Sequence, residues 1–204
     1  MTKVKICGLM EKTHVLAAVE AGADAIGFVF APSKRRITIT QAHELAKIVP
    51  ADVLKIGVFV NPDQEELERA ILEVPLDVIQ LHGEEEPDFF KDIKTACIKA
   101  ISIRDKSDME TAKRFDTDYL LFDAPGTDFK GGSGMTFDWQ LLRGHSISTN
   151  RIILAGGLKK SNVREAIDRV KPYMVDVSSG VEISGRKDEQ LIREFIRTVK
   201  DEER

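Results

Sequence analysis

Apolar residues follow two alternating rhythms along the chain. Short, nearly continuous apolar or β-branched runs fill 3–8, 24–30, 54–60, 77–83, 97–103, 119–124, 151–157 and 174–180. Continuous runs of this kind mark parallel strands covered on both faces. After each run the apolar positions recur at helical spacing, over 11–23, 40–49, 61–74, 86–94, 107–115, 137–145, 160–170 and 188–200. In the first of these stretches Val15, Ala18, Val19 and Gly22 share one face. Thr38 or Thr40 stands where the second helix needs an N-cap, and Pro62 lies near the first turn of the third, where a missing N–H costs nothing. Eight strands each followed by a helix predict a (β/α)8 TIM barrel over residues 1–204 as one domain. A doubly wound open sheet is the alternative; it does not require eight units, and no G-x-G-x-x-G follows the first strand.

Composition narrows the classes of function. The chain has 204 residues, 42% hydrophobic and 31% charged, with a net charge of -4. That balance suits a globular core and disfavours nucleic acid as a partner, since there is no basic surplus for phosphate contacts. No apolar run is long enough to span a membrane, and the opening residues lack the long apolar run expected of a secretory leader. A cytoplasmic protein is expected. Two cysteines, Cys7 and Cys97, do not make a disulfide framework, and no H-x-H, H-E-x-x-H or C-x-x-C spacing supports a metal.

Barrel chemistry gathers at the C-terminal strand ends. There the sequence places Cys7, then Lys34, Arg35 and Arg36 in "APSKRR", then Asn61, Gln80, His82, Asp123, the "AGG" glycines Gly156 and Gly157, and "DVSSGVE" from Asp176 to Glu182. A thiol, a carboxyl, an imidazole and a guanidinium around one mouth are the ingredients of acid–base chemistry on a small anionic molecule. The glycine turns after strands 7 and 8 read as a phosphate site rather than two ordinary turns, because the backbone approaches oxygens closely there. The segment 126–134, "GTDFKGGSG", reads as a lid over substrate rather than a floppy loop. His82 is divided between a structural and a functional reading. His14, His43 and His145 read as surface residues, Cys97 as core, and Trp139 as an anchor for the sixth helix. Lys3, Asp24, Asp77 and Asp118, at the opposite strand ends, read as a solvated set without chemistry.

Taken together, "KICGL", "GFVF…SKRRI", "IGVFVN", "QLHG", "FDA…GGSGMTFDW", "LAGGL" and "VDVSSGVE" resemble the phosphoribosylanthranilate isomerase family of tryptophan biosynthesis, in order from Val4 to Glu182. The resemblance implies a (β/α)8 barrel and a cofactor-free Amadori rearrangement of N-(5′-phosphoribosyl)anthranilate to 1-(2-carboxyphenylamino)-1-deoxyribulose 5-phosphate. It makes Cys7 the general base and Asp123 the general acid. Arg35 fits the S-x-R position that binds the anthranilate carboxylate, with Arg36 the alternate one residue on. Gln80 and His82 would line the mouth, and Gly156, Gly157, Ser179 and Gly180 would contact the phosphate of a small phosphorylated substrate. The histidine-pathway aminoaldose isomerase, similar in chemistry, uses two aspartates, and Cys7 departs from that. A sensor that only binds a phosphorylated metabolite needs neither Cys7 nor Asp123. Monomer and homodimer both fit the sequence.

Overall fold

The computed structural model describes residues 1–125, 136–144 and 146–201. Its strands are β1 (Lys3–Cys7), β2 (Ala25–Val29), β3 (Leu54–Phe59), β4 (Val78–Leu81), β5 (Ala96–Ser102), β6 (Tyr119–Asp123), β7 (Ile152–Leu154) and β8 (Met174–Val177). Each pairs in parallel with its neighbours, and β8 returns to β1 through Lys3 opposite Met174 and Ile6 opposite Val177, so the ring is closed. This is the (β/α)8 barrel the alternation predicts. The helices are α1 (Lys12–Glu20), α2 (Ile39–Ala46), α3 (Gln64–Glu73), α4 (Lys106–Ala112), α5 (Val163–Val170) and α6 (Glu189–Lys200). Thr38 caps α2 in a reciprocal box with Gln41, and Asp63 caps α3, with Pro62 one residue before the cap.

Two of the predicted helices form only short 3-10 turns, Pro87–Phe90 and Trp139–Leu142. The first opens on a proline, and Phe90, packed edge-on to Phe115 at 5.8 Å, ties the segment down before a second turn can form. The second is cut off when Arg143 turns extended and Gly144 takes a φ of 76°. Trp139 begins that turn, half-buried against the core. His14 is buried rather than on the surface, and His43 is half-buried with a ring nitrogen 2.6 Å from the Glu73 carbonyl oxygen. The predicted lid at 126–134 and His145 lie outside the described residues.

Apolar side chains form one layer between strands and helices and a second inside the ring, around Ile56, Ile98, Leu121 and Ile153. At the bottom of the ring the aspartates that precede alternate strands have a structural task. Asp24, before β2, accepts from the Val4 N–H of β1 at 2.8 Å. Asp77, before β4, accepts from the Lys55 N–H of β3 at 2.8 Å, and Asp118, before β6, from the Cys97 N–H of β5 at 2.8 Å. Each clasps a strand pair by occupying a donor that the ladder leaves over. At the corresponding place before β8 stands Tyr173, stacked on Tyr119 at 5.1 Å with the Lys3 ammonium over its ring. The set read as merely solvated therefore fastens the base of the barrel. Cys97 lies beside it, buried as expected, its thiol pushed up to about 12 by burial and then by the Asp118 charge.

Candidate active site

The top of the barrel rests on a polar floor. Lys5, on β1, is fully buried; its Nζ donates to Gln80 Oε1 at 2.7 Å and to Asp176 Oδ2 at 2.8 Å. A buried charge is tolerated when it is paired and hydrogen-bonded in this way. Gln80, expected to line the mouth, is instead 2% exposed within this floor. Two residues beyond Lys5, on the same face of the strand, comes Cys7. Gly27 on β2 leaves room for it: a Cβ there would lie 2.9 Å from the sulfur. Burial pushes the Cys7 thiol above its ordinary value; the Lys5 charge pulls it down, Asp176 pushes it up and Lys187 pulls it down. The net direction is upward, so the resting site holds a neutral thiol.

Asp123 ends β6. Its Oδ1 accepts the Ala124 N–H at 2.8 Å and its Oδ2 is 3.7 Å from His82 Nε2. Burial, then the Asp176 charge, raises its pKa to about 7, against the Ala124 N–H and Lys5 pulling the other way. Gly156 has a φ of 84°, and a Cβ there would strike the Ala124 nitrogen at 2.5 Å and approach Asp123 Oδ1 at 3.1 Å. The glycine after β7 thus makes space beside the carboxyl. His82 is held by its surroundings: the next residue, Gly83, donates its N–H to Glu85 at 2.9 Å, and Glu85 pairs with Lys99 at 2.7 Å.

The rim is organised by Glu182. A short hairpin, β9 (Glu182–Ile183) with β10 (Arg186–Lys187), returns over the mouth after β8. Glu182 receives Arg35 Nε at 2.6 Å and Nη2 at 2.9 Å, and Lys187 Nζ at 2.7 Å. Burial acts to raise the Glu182 carboxyl, but the Arg35 bonds and the Lys187 charge outweigh it and leave it at about 2. Arg35 is buried and packs over Gly8, whose φ of 79° turns the chain sharply after Cys7; a Cβ on Gly8 would meet Arg35 Cδ at 2.6 Å. Arg36 is exposed and lines an outer hollow with Thr38, Asp63 and Arg69. The two adjacent arginines therefore face different surroundings.

Gly156 and Gly157 both have positive φ, 84° and 60°. Asn162 braces this loop by donating from Nδ2 to the Gly157 carbonyl at 3.0 Å and accepting the Lys159 N–H at 2.8 Å. Ser179 and Gly180 lie in a 3-10 turn, Ser179–Val181, and a Cβ on Gly180 would run into the Leu158 carbonyl oxygen. The four predicted phosphate residues are thus brought together in two loops packed backbone to backbone. Behind them Ser178 Oγ donates to the Cys7 carbonyl at 3.2 Å, and Lys187 Nζ to the Ser178 carbonyl at 2.8 Å.

Sequence reasoning did not single out Lys5, Lys187 or the hub role of Glu182. Lys5 carried a signal, a lysine in phase with Cys7 within a buried strand. Lys187 carried none, because only the hairpin brings it back. Among the described residues no group of three or more His, Cys, Asp or Glu side chains is placed to hold a metal ion, and no helix is long and apolar enough to cross a membrane.

Residues 4–198 match the family model described as N-(5'phosphoribosyl)anthranilate (PRA) isomerase. The chain is 51% identical over 197 residues to N-(5'-phosphoribosyl)anthranilate isomerase of Listeria monocytogenes, covering 97% of this chain and 98% of that one. Among solved structures, phosphoribosyl anthranilate isomerase in complex with reduced 1-(o-carboxyphenylamino)-1-deoxyribulose 5-phosphate superposes with a TM-score of 0.85 at 39% identity, covering 98% of this chain and all 100% of that one. Mutually generated monomers of the dimeric enzyme from Thermotoga maritima superpose with a TM-score of 0.86 at 38% identity, with the same coverage of 98% and 100%.

Proposed function

Because the chain belongs to the N-(5'-phosphoribosyl)anthranilate isomerase family, we propose that its barrel mouth runs the Amadori rearrangement with Asp123 as general acid and Cys7 as general base. The protein is an isomerase with phosphoribosylanthranilate isomerase activity, a step of tryptophan biosynthesis. Protonated Asp123 gives its proton to the ribose ring oxygen; the C1–O bond breaks and the nitrogen lone pair forms a C1=N iminium. The Cys7 thiolate then takes the proton from C2, and the C2–H electron pair becomes the C1=C2 bond as the nitrogen is neutralised. Tautomerisation of this enol gives the C2 ketone. Gly156, Gly157, Ser179 and Gly180 hold the phosphate through backbone N–H groups, and Arg35 takes the anthranilate carboxylate with the donors that Glu182 leaves over. Gln80 supports the floor, and His82 flanks the acid.

The observation that carries this reading is Asp123, a carboxyl raised to about 7 at the end of a barrel strand, inside a mouth shared with a thiol. Such a group is still protonated near neutrality and able to act as an acid. The assay is direct: purified protein mixed with phosphoribosylanthranilate is followed by loss of the substrate's fluorescence, and a folded sample without turnover refutes the proposal. Cys7→Ser is expected to lower kcat by roughly 10²–10⁴-fold with little change in KM, because a hydroxyl is a far poorer source of anion.

The ionisations set a pH profile. Turnover needs Asp123 protonated and Cys7 ionised, whereas the free site prefers the reverse, since the thiol is raised above its ordinary range. Both arrangements carry one proton. The rate kcat/KM is therefore expected to rise with pH up to about 7, level off, and fall once the second proton is lost. A kcat/KM profile without an inflection near neutrality refutes this.

A further inference from the structure

The Cys7 sulfur and the Lys5 side chain meet over the same glycine. A Cβ on Gly27 would lie 2.9 Å from Cys7 Sγ and 3.2 Å from Lys5 Cε, so the missing side chain of Gly27 is what lets the two approach. An ammonium has three donors. Two of those on Lys5 go to Gln80 and Asp176, and the Cys7 sulfur lies near the same side chain across Gly27, where the Lys5 charge acts on it. From the other elements the charges that act on Cys7 are Asp176 on β8 and Lys187 on β10; the Arg35–Glu182 and His82–Asp123 pairs are the other charged groups of the mouth. Lys187 is already bonded to Glu182 and to Ser178, and its charge lowers the thiol less than that of Lys5.

We propose that Lys5 is a positioning residue for the isomerisation, fixing the Cys7 sulfur from below and serving as the counter-ion of its thiolate. This rests on the reading of Cys7 as base. Asp176 compensates the ammonium when the thiol is neutral, so the cation is never left unpaired in the apolar interior. When Cys7 accepts the C2 proton the cluster of Lys5, Asp176 and Cys7 passes from a net single negative charge to neutral, and Lys5 keeps its place throughout.

The test compares Lys5→Met in the Asp176→Asn background with Asp176→Asn alone, so that no buried carboxylate is stranded. The readouts are the titration midpoint of thiolate ultraviolet absorbance and the rate of alkylation by iodoacetamide. Cys97, at about 12, stays silent in the range used. Losing an opposite charge at this range moves a titration by roughly 1–3 units, so removing Lys5 is expected to slow alkylation near neutral pH by about tenfold or more and to move the thiolate midpoint upward. In parallel kcat is expected to fall with KM nearly unchanged. A folded double variant whose midpoint is unchanged or lower overturns the proposal. Should the double variant fail to fold, nitrogen-15 NMR of lysine Nζ in the natural protein decides: the Lys5 resonance is expected to shift with the Cys7 midpoint, and a resonance indifferent to it overturns the proposal. The thiol titration needs no turnover, so a Cys7→Ser enzyme of undiminished kcat refutes the base assignment without touching this result.

Discussion

Asp123→Asn is expected to stabilise the folded chain while it severely slows turnover. In the native barrel this carboxyl titrates at about 7, against an ordinary 3.8, because it is 5% exposed and faces the Asp176 charge. A carboxyl that binds its proton more tightly when folded weakens the native state as pH rises. Its contribution is neutral below the unfolded value, becomes increasingly unfavourable as pH climbs toward 7, and levels off above it. Roughly three units correspond to about 4 kcal/mol, an upper figure once relaxation and water entry are allowed for. Asparagine keeps an oxygen for the Ala124 N–H and carries no charge. Urea unfolding is expected to show a gain of about 2 kcal/mol at about pH 8 and almost none near pH 4. In the same protein kcat is expected to drop by roughly 10²–10⁴-fold. A variant that is less stable than the natural chain at the higher pH contradicts the account, whatever its activity.

The adjacent arginines are expected to separate sharply. Arg35→Ala removes a buried, bidentate partner of Glu182 and, with it, the donor group proposed for the substrate carboxylate. Breaking a buried pair typically costs ~3–5 kcal/mol, and Lys187 remaining on Glu182 brings the expectation down to about 2 kcal/mol. The lost charge-assisted contact is expected to raise KM by roughly 10–100-fold with a smaller effect on kcat. Arg35→Lys should restore little of either, because an ammonium does not reproduce the planar fork. Arg36→Ala, at an exposed position on the outer hollow, is expected to leave both KM and stability near their natural values. Substrate titrations and urea midpoints of the three variants provide the check; a raised KM in Arg36→Ala alone would move the carboxylate pocket one residue along.

Much of this molecule can be read from the order of its residues, for identifiable reasons. Parallel strands buried on both faces leave continuous apolar runs, so β1 to β8 stand out individually. Cys7 and Asp123 are legible because each ends such a run. The segments after β4 and β6 are misread as α-helices, since their apolar spacing is right over too few residues, and a proline or a glycine settles their length. Gln80 reads as a mouth residue because position alone does not tell the floor from the wall. Glu182 gathers Arg35 and Lys187 only when β9 and β10 fold back, a contact 147 residues apart in the chain for Arg35 and Glu182. Asp24, Asp77 and Asp118 look solvated because a carboxylate bonded to a backbone N–H at a strand end has the same sequence as one bonded to water.

Those three aspartates divide the barrel into clasped pairs: β1 with β2, β3 with β4, and β5 with β6. The proposed base and acid do not share a pair. Cys7 comes from the first and Asp123 from the third, while Asp176 arrives on β8, across the seam where the ring closes on β1. No clasped pair can hold the chemistry by itself, and an open sheet of all eight strands would still leave Lys5 without Asp176. Turnover in this protein is therefore a readout of ring closure. During refolding, activity should return with the β1–β8 seam and not with the bulk of the secondary structure, and damage to that seam would be felt at the mouth before it is felt in the helices.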